Sequence, residues 1–314
     1  MKRRQFLASA AATATVTSAA PSVPIIDTHI HLFDPRRPQG IPWPPKDNAK
    51  LYMPALPDRY RSLAVPLGIV GAIKVEASPW LEDNQWVLDL IEKDPIMVGC
   101  VGNIDPGKPD FAKHLERFHK NRLFLGIRCG LLWDRDLNRD SAKPQVIADL
   151  KLLADAGLSL DTANQSPELI KTTVRLSDRI PNLRIIVDHL PQFNPPTEPA
   201  ALKAYMADLR ELAKRPQVFF KISAVIRRVN GRVITDPAFY RERLDLFWDV
   251  FGPDRLVYGS DWPNSDNWAP YPQVLAVVRE YFTAKGSVAA EKVFWRNSIK
   301  AYRWIHRDPK QPKA

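Results

Sequence analysis

Cysteine is nearly absent from the chain, with only Cys100 and Cys129 in 314 residues. A disulfide-stapled fold is thereby excluded, and the two lack the close spacing of a zinc or redox CxxC pair. Both lie inside apolar runs, which predicts two buried thiols. Long hydrophobic stretches are missing too: none approaches the roughly eighteen apolar residues of a membrane span. The sequence has no glycine-rich phosphate loop, no dinucleotide fingerprint and no serine-nucleophile elbow. Acid is in deficit, 35 Asp and Glu against 45 Lys and Arg, for a formal charge of +10. Nucleic-acid binding would gather those cations on one stripe. Here they are scattered along helical segments, so a small-molecule partner, not nucleic acid, is expected. Oligomeric state is not legible.

What is present starts with an unusual leader. Lys2-Arg3-Arg4 precede Gln5-Phe6-Leu7 and a run of small residues ending at Ala19-Ala20. That order predicts an export signal over residues 1–20, of twin-arginine type, and hence a periplasmic destination. A disordered basic tail is the alternative. Residues 21–314 are read as one domain.

From Pro24 the chain repeats a short apolar run followed by an amphipathic segment. The runs are Pro24–Ile30, Gly68–Glu76, Met97–Ile104, Leu123–Gly130, Leu158–Asn164, Arg184–Leu190, Val218–Val225 and Arg255–Asp261. They lack clean alternation, as parallel strands buried on both faces do. Helices are predicted over Trp80–Lys93, Asp110–Asn121, Lys143–Ala156, Pro167–Ile180, Ala200–Lys214 and Pro237–Phe251. Eight such units predict a single-domain α/β TIM barrel, (β/α)8. A doubly wound sheet fits less well, because the first strand ends in Asp27-Thr28-His29-Ile30-His31 with no glycine. The proline-rich stretch 35–57 reads as a long loop, a lid or pocket wall.

In this fold, chemistry sits at the carboxyl ends of the strands. Those ends carry His29 and His31, Lys74 and Glu76, Arg128, Asp161, Asp188-His189, Lys221, and Asp261-Trp262. So many ionisable groups closing apolar runs are costly to bury as packing. His29 and His31, two apart on a strand, point to one face and can share a divalent metal, with zinc the first expectation. Asp261 can act as general base. The bland readings are structural hydrogen bonding for the histidines and a helix cap for Asp261. The remaining histidines, His114, His119 and His306, fall in helical patterns and read as surface residues. Trp43, Trp80, Trp133, Trp262 and Trp268 fall in loops on the catalytic side and suit walls around a ring-shaped substrate. Arg36, Arg37, Arg227 and Arg228 could recognise a carboxylate or lie exposed.

Ile26-Asp27-Thr28-His29-Ile30-His31-Leu32-Phe33, Val187-Asp188-His189-Leu190 and Gly259-Ser260-Asp261-Trp262-Pro263 resemble the amidohydrolase-2 branch of the amidohydrolase superfamily. More narrowly they resemble its sugar-lactonase and pyrone-dicarboxylate lactonase group, and Gly126-Ile127-Arg128 and Phe220-Lys221-Ile222-Ser223 fit as well. The resemblance implies hydrolysis of a lactone or related cyclic ester. Asp261 would activate water, and His29, His31 and His189 would bind metal or polarise the carbonyl. Arg128, Lys221, Lys74 and Trp262 would contact substrate. The full implied ligand set is His29, His31, Glu76, His189 and Asp261. Some lactonases of this group work without metal, so the requirement stays open. Asp161 stands where decarboxylases and deaminases of the superfamily carry a histidine, and Cys129 stands where sugar lactonases often do. Two alternatives are a metal-dependent decarboxylase of the same superfamily and a non-catalytic carbohydrate-binding barrel.

Overall fold

A computed structural model describes residues 23–189 and 196–313. The expected export segment lies outside the described residues, as does Leu190 at the end of the sixth apolar run. Eight parallel strands form the expected TIM barrel: β1 (Ile25–Ile30), β2 (Ile69–Val75), β3 (Met97–Gly102), β4 (Phe124–Leu132), β6 (Ser159–Ala163), β7 (Arg184–Val187), β8 (Val218–Ile222) and β11 (Leu256–Tyr258). Each coincides with one of the eight apolar runs. The short strand β5 (Arg135–Asp136) turns back on the end of β4, and β9 (Arg227–Val229) pairs with β10 (Arg232–Ile234) in a separate hairpin.

The barrel closes between its first strand and the segment after its last. Asp261 N donates to His29 O at 2.8 Å, and His31 N donates to Trp262 O at 2.7 Å. Beneath this seam Asp27 is wholly buried and accepts from Ser260 N, Tyr60 Oη and Tyr271 Oη. Gly259 is required at the seam, since a Cβ there would lie 2.7 Å from that of His29.

Helices pack around the barrel: α1 (Pro57–Ala64), α2 (Asp83–Ile91), α3 (Phe111–Phe118), α4 (Leu137–Asp140), α5 (Pro144–Asp155), α6 (Pro167–Arg179), α7 (Pro199–Ala213), α8 (Arg241–Phe251), α9 (Tyr271–Ala284), α10 (Ser287–Glu291) and α11 (Asn297–Tyr302). Helix starts follow the sequence signals. Pro167 opens α6, where Ser166 Oγ caps Leu169 N, and Pro237 opens a short 3-10 turn ahead of α8.

Alternation along each strand divides the core in two. Ile26, Ile73, Val75, Val98, Val101, Leu125, Ile186, Phe219 and Val257 form an inner cluster with Trp295, Ala301, Tyr302 and Trp304 of the C-terminal segment. That segment caps the amino ends of the strands: Asn297 donates to Leu256 O and Arg184 donates to Ala301 O. Intervening residues such as Ala72, Cys100 and Ile127 pack outward against the helices. Both cysteines are free and buried, and burial pushes their thiols up to about 12 at Cys100 and about 11 at Cys129.

Candidate active site

Beyond the carboxyl ends of β6, β7, β8 and β11 stands a left-handed residue that is not glycine: Asn164, His189, Ala224 and Asp261, with φ of 58°, 60°, 48° and 63°. Such conformations are uncommon outside glycine and concentrate where structure is held for a purpose. They turn the chain sharply after β6, β7, β8 and β11, and bring residues distant in sequence to one mouth.

His29, His31 and Asp261 converge there. The Nε2 atoms of the two imidazoles lie 3.3 Å apart, and Asp261 Oδ1 is 3.2 Å from that of His31 and 3.6 Å from that of His29. Among the described residues these three form the one group whose ligand atoms lie within 4.8 Å of one another. His31 Nδ1 lies 3.0 Å from Val75 O, an acceptor only, so the hydrogen of a neutral ring is assigned to Nδ1. His29 Nδ1 faces Asp188 Oδ1 at 3.6 Å. Burial and then the Lys221 ammonium hold His29 well below the usual histidine range, so it is neutral. Two imidazole nitrogens and a carboxylate oxygen thus face one another around a single point.

A cation answers that arrangement. Bonds of about 2.0–2.1 Å at tetrahedral angles place ligand nitrogens about 3.3 Å apart, close to the observed edges, and three protein ligands leave a fourth position open. The donor set therefore fits a divalent metal. Glu76 and His189 stand outside the group. Glu76 Oε1 is taken by Arg135 at 2.5 Å; burial pushes its carboxyl up to about 7 against the pull of Arg135. His189 Nδ1 is tied to Ser223 Oγ at 2.8 Å, and its ring lies 4.7 Å from that of His29.

Asp261 is ionised. Burial acts against its charge, but His189, His31 and His29 together hold the carboxyl well below the usual range. Its second oxygen accepts from Asn264 Nδ2 at 2.8 Å. Around it lies a cavity of about 340 Å³, lined by side chains that include Arg128, Trp43, Trp133, Leu132 and Asn164. The volume suits a small organic molecule. Arg128 Nε is held by Asp188 at 2.8 Å and its Nη1 by Glu76 O, which leaves Nη2 without a hydrogen-bond partner among the described residues.

Three residues expected at the substrate are placed elsewhere. Lys74 points outward, between the inward Ile73 and Val75, into a crevice with Trp43, Asp83 and Trp86. Lys221 does face the barrel interior but is fully buried, bridging Asp161 at 2.9 Å and Asp188 at 2.7 Å. Trp262, one residue past Asp261, turns from the mouth and is sealed against Tyr60. Of the other tryptophans, Trp43 and Trp133 line the cavity, and Trp80 and Trp268 are exposed. Arg36 and Arg37 pair with Asp34 and Asp83, and Arg228 lies over Trp268. His114 and His119 sit on and beside α3 as expected, whereas His306 lies in coil beyond α11. Asn164, Asn264, Leu132 and Ser223 line or support the site without having been singled out. For Asn264 a signal existed, three residues beyond Asp261 and directly after Pro263, where it opens a short 3-10 turn.

The sequence profile of the family described as amidohydrolase matches residues 26–304. An L-fucono-1,5-lactonase of Burkholderia ambifaria is 27% identical over 245 residues, 76% of this chain and 80% of that protein. An L-fucono-1,5-lactonase of Burkholderia multivorans is 25% identical, over 86% of this chain and 92% of its own length. The crystal structure of an amidohydrolase from Burkholderia multivorans with bound zinc is similar in fold, with a TM-score of 0.78 and 21% identity, covering 90% of this chain and 100% of that one.

Proposed function

The chain belongs to the amidohydrolase family, and on that premise we propose that it is a lactonase that opens a small cyclic ester by attack of water. The observation that carries the reading is a buried, ionised carboxylate, Asp261, wedged between imidazoles at the wall of a cavity sized for a small molecule. Two relatives named as L-fucono-1,5-lactonases support the choice of a lactone over other carbonyl substrates.

In this mechanism Asp261 accepts a proton from water as its oxygen attacks the lactone carbonyl. Asn264 orients the carboxylate, and His189, its ring set by Ser223, stabilises charge on the carbonyl oxygen. Arg128 Nη2 and Asn164 hold the oxygens of the substrate. When the ring C–O bond breaks, the proton on Asp261 passes to the departing alkoxide, and a hydroxy acid is released. His29, His31 and Asp261 would hold a divalent cation, with zinc the expected ion. Such a cation supplies positive charge that acidifies a nearby water and polarises the carbonyl, which suits so weakly basic a carboxylate. Export through the twin-arginine route is part of the proposal and rests on the leader sequence.

The test is a pH-indicator screen of sugar and aromatic lactones with the purified enzyme, run beside elemental analysis for bound metal. Stoichiometric acid release on lactones is expected, with no carbon dioxide evolved from aromatic acids. Decarboxylation, or binding of lactones without turnover, would sink the assignment.

A further inference from the structure

Beside the catalytic cavity lies a second hollow of about 260 Å³, bounded by residues that include Asp105, Lys108, Cys129, Leu137, Arg139 and Val146. The linings of the two spaces share one residue, Trp133. Trp133 is therefore the residue at which the two spaces meet.

That meeting point is held from several sides. Trp133 and Asp134 form the two-residue turn between β4 and β5, where Leu132 pairs with Arg135. Both turn residues have positive φ, 56° and 62°, and neither is glycine. Tight hairpins of this kind ask for that backbone, and asparagine or glycine usually supplies it. Here two other residues are kept in it by the anchoring of their neighbour Arg135. Arg135 Nη2 binds Glu76 Oε1 at 2.5 Å, and its Nη1 binds Arg128 O at 2.7 Å and lies 3.3 Å from Asp105 Oδ1. The hairpin is therefore latched to the ends of β2 and β4 and to the loop after β3. Trp133 Nε1 is buried with no acceptor among the described residues, and the latched backbone places the ring.

We propose that Trp133 is a specificity-determining residue: its indole closes one end of the substrate cavity and confines the enzyme to compact, single-ring lactones with short substituents. Room for a longer side arm exists behind the indole and is shut off by it. This inference rests on the lactonase reading, and its test separates the two.

The kcat/KM of wild type, Trp133→Phe, Trp133→Leu and Trp133→Ala is measured on δ-valerolactone, δ-octalactone and δ-dodecalactone, with thermal melting as the folding control. The ratio for dodecalactone over valerolactone should rise by about tenfold or more in the alanine variant and by less in the leucine variant, as expected when apolar contacts replace a steric block. The phenylalanine variant should stay near wild type. A ratio in Trp133→Ala within about twofold of wild type overturns the proposal. A crystal structure of the same variant gives an arm that needs no turnover: one continuous cavity is expected, and neighbours collapsed into the gap would also overturn it. Absence of turnover by wild type on every lactone would instead sink the lactonase reading, and the crystal structure would decide the partition.

Discussion

Inside the barrel, Asp161, Lys221, Asp188 and Arg128 form one buried cluster, and His29, His31 and Asp261 form another. Asp188 borders both, lying 2.7 Å from Lys221 and 3.6 Å from His29. The first cluster sets two cations against two carboxyls, and Tyr302 Oη adds a 2.6 Å bond to Asp161. Burial alone would push Asp188 up, yet Lys221 and Arg128 hold it well below the carboxylate range. Burial wins at Asp161, which is pushed up to about 7 despite Lys221. The second cluster has one carboxylate with the Nε2 atoms of two imidazoles 3.2 and 3.6 Å from it. The first sets lysine and arginine against its carboxyls; the second sets imidazoles beside its carboxylate, at the wall of a cavity. Burial is common to both, so burial alone does not mark a reactive site. A carboxylate set among imidazoles at a cavity does.

Changing the second cluster should have the larger effect on rate. Asp261→Asn keeps the shape and removes the base, so kcat/KM on the best lactone from the screen should fall by about a thousandfold, near 4 kcal/mol in the barrier. The fold should persist, with thermal melting as the control, although the favourable contacts of the ionised carboxylate with His189, His31 and His29 are lost. Wild-type rates in this variant would end the general-base assignment.

In the first cluster, removing a cation should instead strike stability. Lys221→Met leaves Asp161 and Asp188 buried without their ammonium, a loss of about 3–5 kcal/mol measurable by urea unfolding. The sign with pH is set by the carboxyls: their charged forms need the cation, so the deficit should be greatest above pH 7 and shrink on acidification as they protonate. A deficit that grows as pH falls would contradict this account of the layer. Tyr302→Phe is the mildest probe. Loss of its bond to Asp161 should cost about 1–2 kcal/mol of unfolding free energy, with turnover changed by less than about twofold. A large rate loss would mean that the charge layer takes part in the chemistry.

The sequence exposed the eight barrel strands because buried parallel strands are uninterrupted apolar runs, and their ends stood out as the places where ionisable residues broke those runs. His29, His31, His189 and Asp261 were singled out as candidates that way. The β9–β10 hairpin passed unnoticed, although Asn230-Gly231 between Arg227–Val229 and Arg232–Ile234 is a hairpin signal, with both φ values positive. The β4–β5 hairpin carried no such signal, since Trp133-Asp134 is not a turn dipeptide and its conformation depends on the Arg135 latch.

Period and polarity along the chain were enough to determine the barrel, the strand ends and the candidate groups there, because these depend on near neighbours in sequence. Which way each side chain faces was decided by the closed sheet. The tertiary structure sent Lys74 and Trp262 away from the mouth, locked Lys221 between two carboxyls and set Trp133 between two cavities. The physical reason is that barrel closure and long-range polar contacts join residues from 33 to 230 positions apart, and no local pattern encodes such a meeting.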